Sequence, residues 1–190
     1  MLRRLAIGTL VLGVLSLQAG MALADTFTYE PTPRHFQNLP HGKYYTWGID
    51  VSELAGWQIV EAELRVDRIT NYNSGENRLY IHMLDEAEMG VHRWNDQNND
   101  WIDAFEGQGV LIDEWSDENG RNERDDLVYV FTDLDILGDL SRYVENGTLG
   151  FGLDPDCHFY NDGFRLVITA RQPSTATENT SWGDIKKVFR

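Results

Sequence analysis

The chain has 190 residues, 31 of them acidic and 16 basic, for a formal net charge of −15. A surface this acidic repels nucleic acid and anionic lipid and attracts cations, divalent ones most of all. The single cysteine, Cys157, excludes an internal disulfide, so the domain must rely on its core and on any metal it binds.

Arg3 and Arg4 precede an uncharged apolar run over 5–17, and Ala22, Leu23 and Ala24 form a small-x-small cleavage site before Asp25. This is the pattern of an export signal over residues 1–24. Its apolar core is too short to span a bilayer, which argues against the alternative of a membrane anchor. The expected product is secreted or held at the cell surface, with no membrane segment once the signal is removed. Removal takes Arg3 and Arg4 away and leaves 166 residues at a formal charge of −17.

Residues 25–43 read as an N-terminal arm. Pro31, Pro33 and Pro40 punctuate it, and only 26–29 has strand character. The domain proper is expected over 44–171. Residues 44–49 are aromatic and β-branched and predict a strand. Val60, Ala62, Leu64 and Val66 alternate with Glu61, Glu63, Arg65 and Asp67, so one face enters the core and the other meets water. A turn over 71–75 leads to 79–84, which is apolar on both faces and therefore central.

The polar stretch 85–109 is too long for an idle loop in a compact domain. Strands follow over 109–115 and 127–131, with a charged turn between them. Thr132 or Asp133 is expected to open a short helix. Leu134, Leu137, Leu140 and Val144 lie on one side of it, and Gly147 sits at its stop. Strands over 148–153 and 164–170 close the domain. Residues 172–190 form a Ser/Thr/Pro linker and a short tail, in which Trp182, Ile185, Val188 and Phe189 make an apolar stripe. Short alternating strands with one short helix predict an all-β fold: a single β-sandwich, jelly-roll-like.

Asp154, Pro155, Asp156, Cys157, His158, Phe159, Tyr160, Asn161, Asp162 and Gly163 form the most distinctive string. It resembles a run in exported bacterial proteins of uncharacterised activity, some of them sorted by the exosortase (PEP-CTERM) route. The flanking runs 150–153 and 164–168 are similar to that group as well, and 79–85 is a weaker echo. The resemblance implies an exported β domain and no particular activity. This chain has no Pro-Glu-Pro tail.

Read by its residues, the same string crowds Asp154, Asp156, Asn161 and Asp162 into one loop. Asp154 and Asp156 stand two apart, so their carboxylates share a side of an extended segment. Such an oxygen-rich loop suits Ca²⁺; the alternative is that Asp and Asn only close turns. In a second loop Asp96, Asn98 and Asp100 reproduce the first three ligand positions of a calcium loop. The match then fails, because Trp101 stands at the glycine position and Gly107 at the closing glutamate. A looser calcium loop and a solvated polar loop both remain. A third stretch, with Asp113, Glu114, Asp117, Glu118, Glu123, Asp125 and Asp126, reads as a solvated charged face.

Trp94, Trp101 and Trp115 lie near these loops and are candidates to stack on a sugar, although large aromatics also serve as core anchors. Catalysis is not expected. No nucleophile elbow, zinc-helix motif or phosphate loop occurs, and adjacent Cys157 and His158 would point to opposite faces. His82 and His92 are isolated and read as structural. The expectation is therefore a calcium-binding exported sandwich with a structural, self-assembling or binding role, and a carbohydrate-binding module as the alternative. The arm is the candidate for strand addition onto a neighbouring copy, and an extracellular glycan is the candidate ligand.

Overall fold

The computed structural model describes residues 23–32, 35–73, 77–96, 102–117 and 124–173. Most of the segment expected to be an export signal, with Asn98, Asp100, Trp101 and the tail beyond residue 173, lies outside the described residues.

Two antiparallel sheets face each other across one core. In the first, β4 (Gln58–Asn71) is the spine. It pairs on one side with β8 (Asp125–Val130) and on the other with β11 (Gly163–Arg171). β1 (Ala24–Tyr29) lies along the far side of β11. At the end of β4 the short β10 (Phe159–Tyr160) takes over from β11 and pairs with β2 (Asn38–Leu39).

The second sheet runs in the order β6 (Gly90–Asn95), β3 (Lys43–Asp50), β9 (Thr148–Pro155), β5 (Arg78–Leu84) and β7 (Val110–Ser116). The chain changes sheets between β2 and β3, β3 and β4, β4 and β5, β7 and β8, β8 and β9, and β9 and β10. This is the sandwich the strand pattern predicts.

Alternation decides what enters the core. Leu79, Ile81 and Met83 of β5 and Leu149, Phe151 and Leu153 of β9 point inward and are fully buried. Along β4 the buried set is Ile59, Ala62, Leu64, Val66 and Ile69, so Ile59 takes the place expected of Val60. The cause is a register shift opposite Thr169 and Ala170, which moves the start of the strand by one residue.

The segment expected to be an arm is built into the fold. β1 pairs with β11 of its own chain, and Phe36, in a single 3-10 turn (His35–Gln37), is 1 % exposed. Its ring meets Phe164, Tyr45 and Trp47 edge-on at 5.2, 6.0 and 6.2 Å. Burying a ring of this size contributes about 1.5–3 kcal/mol.

The short helix α1 (Leu137–Val144) buries Leu140, Tyr143 and Val144. It begins later than Thr132 or Asp133. Residues 131–135 form a turn in which Asp135 adopts φ 58°, and Leu134 is exposed. Gly147 ends the segment at φ 78°, a conformation that glycine enters without steric cost.

Candidate functional site

The chemistry of the molecule gathers on the outer face of the second sheet. β9 presents Gly150, Gly152 and Asp154 there, paired with Leu84, His82 and Tyr80 of β5. All six are buried, which explains why β5 is apolar on both faces. The cover is local chain. Residues 85–89 pass over Gly48 and Gly150, where a β-carbon would run into the Glu88 carbonyl and the Ala87 methyl. Phe105 lies on Gly152, meets Tyr44 edge-on at 5.4 Å and stands 5.7 Å from the His82 ring.

The covering turn is held by side chains on both flanks. Asp103 Oδ1 accepts the Phe105 N–H at 2.9 Å, and the Phe105 carbonyl accepts the Gln108 N–H at 2.8 Å. From below, His82 spans the turn. Its Nε2 is 2.7 Å from Asp103 Oδ2 and its Nδ1 is 3.1 Å from the Gln108 carbonyl. Both partners are acceptors, one on each side of the ring.

Asp154 Oδ2 accepts the Ala104 N–H at 2.7 Å. Burial pushes the Asp154 carboxyl up to about 7; the Ala104 hydrogen bond opposes the rise, while the carboxylates of Asp96, Asp103 and Asp156 add to it. Sequence position alone does not bring Asp103 into this group. The docking of the turn does.

The other expected ligands take separate places. Asp96 follows β6 and donates its N–H to the Gly42 carbonyl at 3.1 Å. Asp156 Oδ1 accepts the Arg78 N–H at 2.5 Å, which ties the end of β9 to the start of β5. Asn161 lies between β10 and β11 of the first sheet, and its side-chain amide donates to the Phe36 carbonyl. Among the described residues, no three His, Cys, Asp or Glu side chains come close enough to hold one metal ion.

Several carboxylates of the third stretch clasp backbone or phenol groups. Asp117 is 3 % exposed and accepts the Asn71 N–H at 2.8 Å. Asp126 accepts the Arg68 N–H at 2.8 Å. Asp113 accepts the Tyr129 hydroxyl at 2.8 Å, and burial, reinforced by Asp113, raises the pKa of that phenol.

The tryptophans divide as well. Trp115 is half-buried and packs on Phe159 at 5.6 Å. Trp94 is 40 % exposed on the outer face of β6. It forms a row with Tyr44 and His92, whose rings are nearly parallel to it at 6.5 and 6.0 Å. Its indole N–H donates to Thr46 Oγ1 at 3.2 Å, which fixes the ring.

Comparison with protein-family models and with curated proteins finds no match to this chain. No helix among the described residues is long and apolar enough to cross a membrane.

Proposed function

We propose that the chain is an exported, calcium-responsive binding protein whose working surface is the outer face of the second sheet. The observation that carries this reading is Asp154. Burial raises its pKa to about 7, and the charges of Asp96, Asp103 and Asp156 add to the rise, although it already accepts a backbone N–H. A divalent cation relieves such crowding directly. Asp154 is the described residue that would supply oxygen; Asp96 and Asp156 do not join it around one ion as they stand. Asn98 and Asp100, in the loop between Asp96 and Asp103, are the remaining candidates.

The test is thermal unfolding of the signal-free protein in Ca²⁺, in Mg²⁺ and in EDTA. Saturating Ca²⁺ at a hundred times its dissociation constant stabilises a one-site protein by about 2.7 kcal/mol. The expected result is a higher Tm in Ca²⁺ than in either other condition, with the gain lost in Asp154→Asn. Superimposable curves in Ca²⁺ and EDTA would remove the reading.

The row Tyr44, Trp94 and His92 favours a second reading, binding of an extracellular glycan through ring stacking. A glycan array with wild type and Trp94→Ala tests it, and equal signals from the two proteins would dismiss it. Assembly through residues 24–29 would require β1 to leave β11 for the same strand of a neighbour, that is, strand exchange rather than simple addition.

A further inference from the structure

The end of β11 leads into a groove. The last pair of β11 with β4 sets Arg171 opposite Gln58. Two residues further on, Pro173 forms one wall of a cavity of about 560 Å³. The residues that enter β4 and the last turn of α1 supply the other walls. Leu54, Ile59 and Val144 are buried and make an apolar floor. Ala55 and Pro173 are exposed at the rim, and Trp57 is half-buried between them. The Trp57 ring is fixed from behind, because Phe27 of β1 meets it edge-on at 5.2 Å. A fixed indole over an apolar floor is the kind of anchor on which binding energy concentrates.

The chain itself carries an occupant of matching chemistry. Residues 174–190 follow Pro173 directly. In that segment Trp182, Ile185, Val188 and Phe189 have the spacing of a helical stripe, the pattern of a helix that lies in a groove. So short a helix is marginal in water by itself and needs a surface to pack on. Charge agrees with this. Lys186, Lys187 and Arg190 cluster there, in a chain of net charge −15. The groove carries exposed Glu145, with exposed Glu53 in the 3-10 turn (Ser52–Leu54) that runs into it. Arg142, one turn from Glu145 on α1, is already held by Asp139 at 2.6 Å and does not compete. Reach is ample: the chain from Pro173 to Trp182 spans up to about 30 Å. A tether of that length gives the segment an effective concentration on the order of millimolar at the groove.

We infer that this groove is the docking site of the chain's own segment 182–190. The segment lies there as a short helix, with its apolar stripe on Ala55, Trp57 and Pro173 and its basic residues toward Glu145 and Glu53. The site uses neither the carboxylates around Asp154 nor the ring row at Trp94, and it stands without the calcium reading.

Trypsin digestion and hydrogen exchange on the full signal-free protein in EDTA test the inference. Trypsin cuts after Lys186 and Lys187, and only the undocked population is cut when docking is fast. Each rate is compared with that of the matching synthetic peptide 174–190. Docking in about nine molecules of ten slows release of the C-terminal fragment about tenfold. The double variant Trp182→Ser with Phe189→Ser is expected to abolish that protection. Glu145→Lys, which alters the groove alone, is expected to speed cleavage by about threefold. Amides of 55–58 exchange faster in the double variant than in wild type, while those in the middle of β4 and β11 do not change. Cleavage of the wild-type tail as fast as the free peptide overturns the inference, and so does equal exchange at 55–58 in wild type and the double variant. Protection that disappears on dilution, together with elution as a dimer, places the tail in a second copy and overturns the assignment to its own groove.

Discussion

Phe105 rests directly on the backbone of Gly152, where a β-carbon would stand 2.8 Å from the ring. The contact docks the 102–109 turn on β9 and so covers His82 and Asp154. Gly152→Ala is expected to push the ring off and cost about 1–3 kcal/mol. Hydrogen exchange gives the sharper signal: amides of 104–108 lose protection while those of β4 and β11 keep theirs. Unchanged exchange in the turn would show that Phe105 does not hold it.

Asp154 gives stability a pH dependence of known sign. Its folded pKa of about 7 lies above its ordinary value of 3.8, so the folded chain holds this proton more tightly than the unfolded one. The contribution of this side chain is most favourable below about pH 4, declines as pH rises toward about 7, and is constant above that. Asp154→Asn removes the slope. Urea midpoints of the two proteins are expected to favour the variant progressively between pH ~4.5 and pH ~7.5. A difference that stays flat would contradict the buried, crowded carboxyl.

His82 and Asp103 are a nearly buried pair, with side chains 4 % and 14 % exposed. His82→Phe strands the Asp103 carboxylate and is expected to cost about 3 kcal/mol. The double variant His82→Phe with Asp103→Leu is expected to recover a large part of that loss, because an apolar pair leaves no charge to solvate. Chemical denaturation of wild type, the single variant and the double variant measures this. A double variant weaker than the single one would mean that the pair contributes more than the cost of breaking it.

Phe36 gives the largest expected loss. It joins the N-terminal segment to both sheets, and Phe36→Ala is expected to cost about 3–5 kcal/mol by urea unfolding. A loss under about 1 kcal/mol would return residues 24–39 to the status of a loose arm.

The strands that alternate cleanly, such as 62–66 and 164–170, can be read from the residues because period two is imposed by the backbone itself. β6 was hidden. His92, Arg93, Trp94 and Asn95 are polar or exposed on an edge, and an edge strand needs no apolar stripe. The paired status of 24–29 was hidden too, since its partner β11 begins 134 residues later, at Gly163. At the candidate site, Asp96, Asp154 and Asp156 stood out by composition. Asp103, His82 and Phe105 did not, because their roles arise only where three small residues, Gly48, Gly150 and Gly152, leave room for a covering chain. Asn161 looked like a ligand because it shares a loop with Asp154, yet the loop turns between the sheets and carries it to the other one.

β1 and β11, the first and last strands among the described residues, are neighbours. Their pairing delays completion of the first sheet until β11 has left the ribosome, since a contact of such long range cannot form earlier. The second sheet, by contrast, has all its strands once Pro155 is made. Until Gly163–Arg171 is made, β4 and β1 lack the strand that joins them.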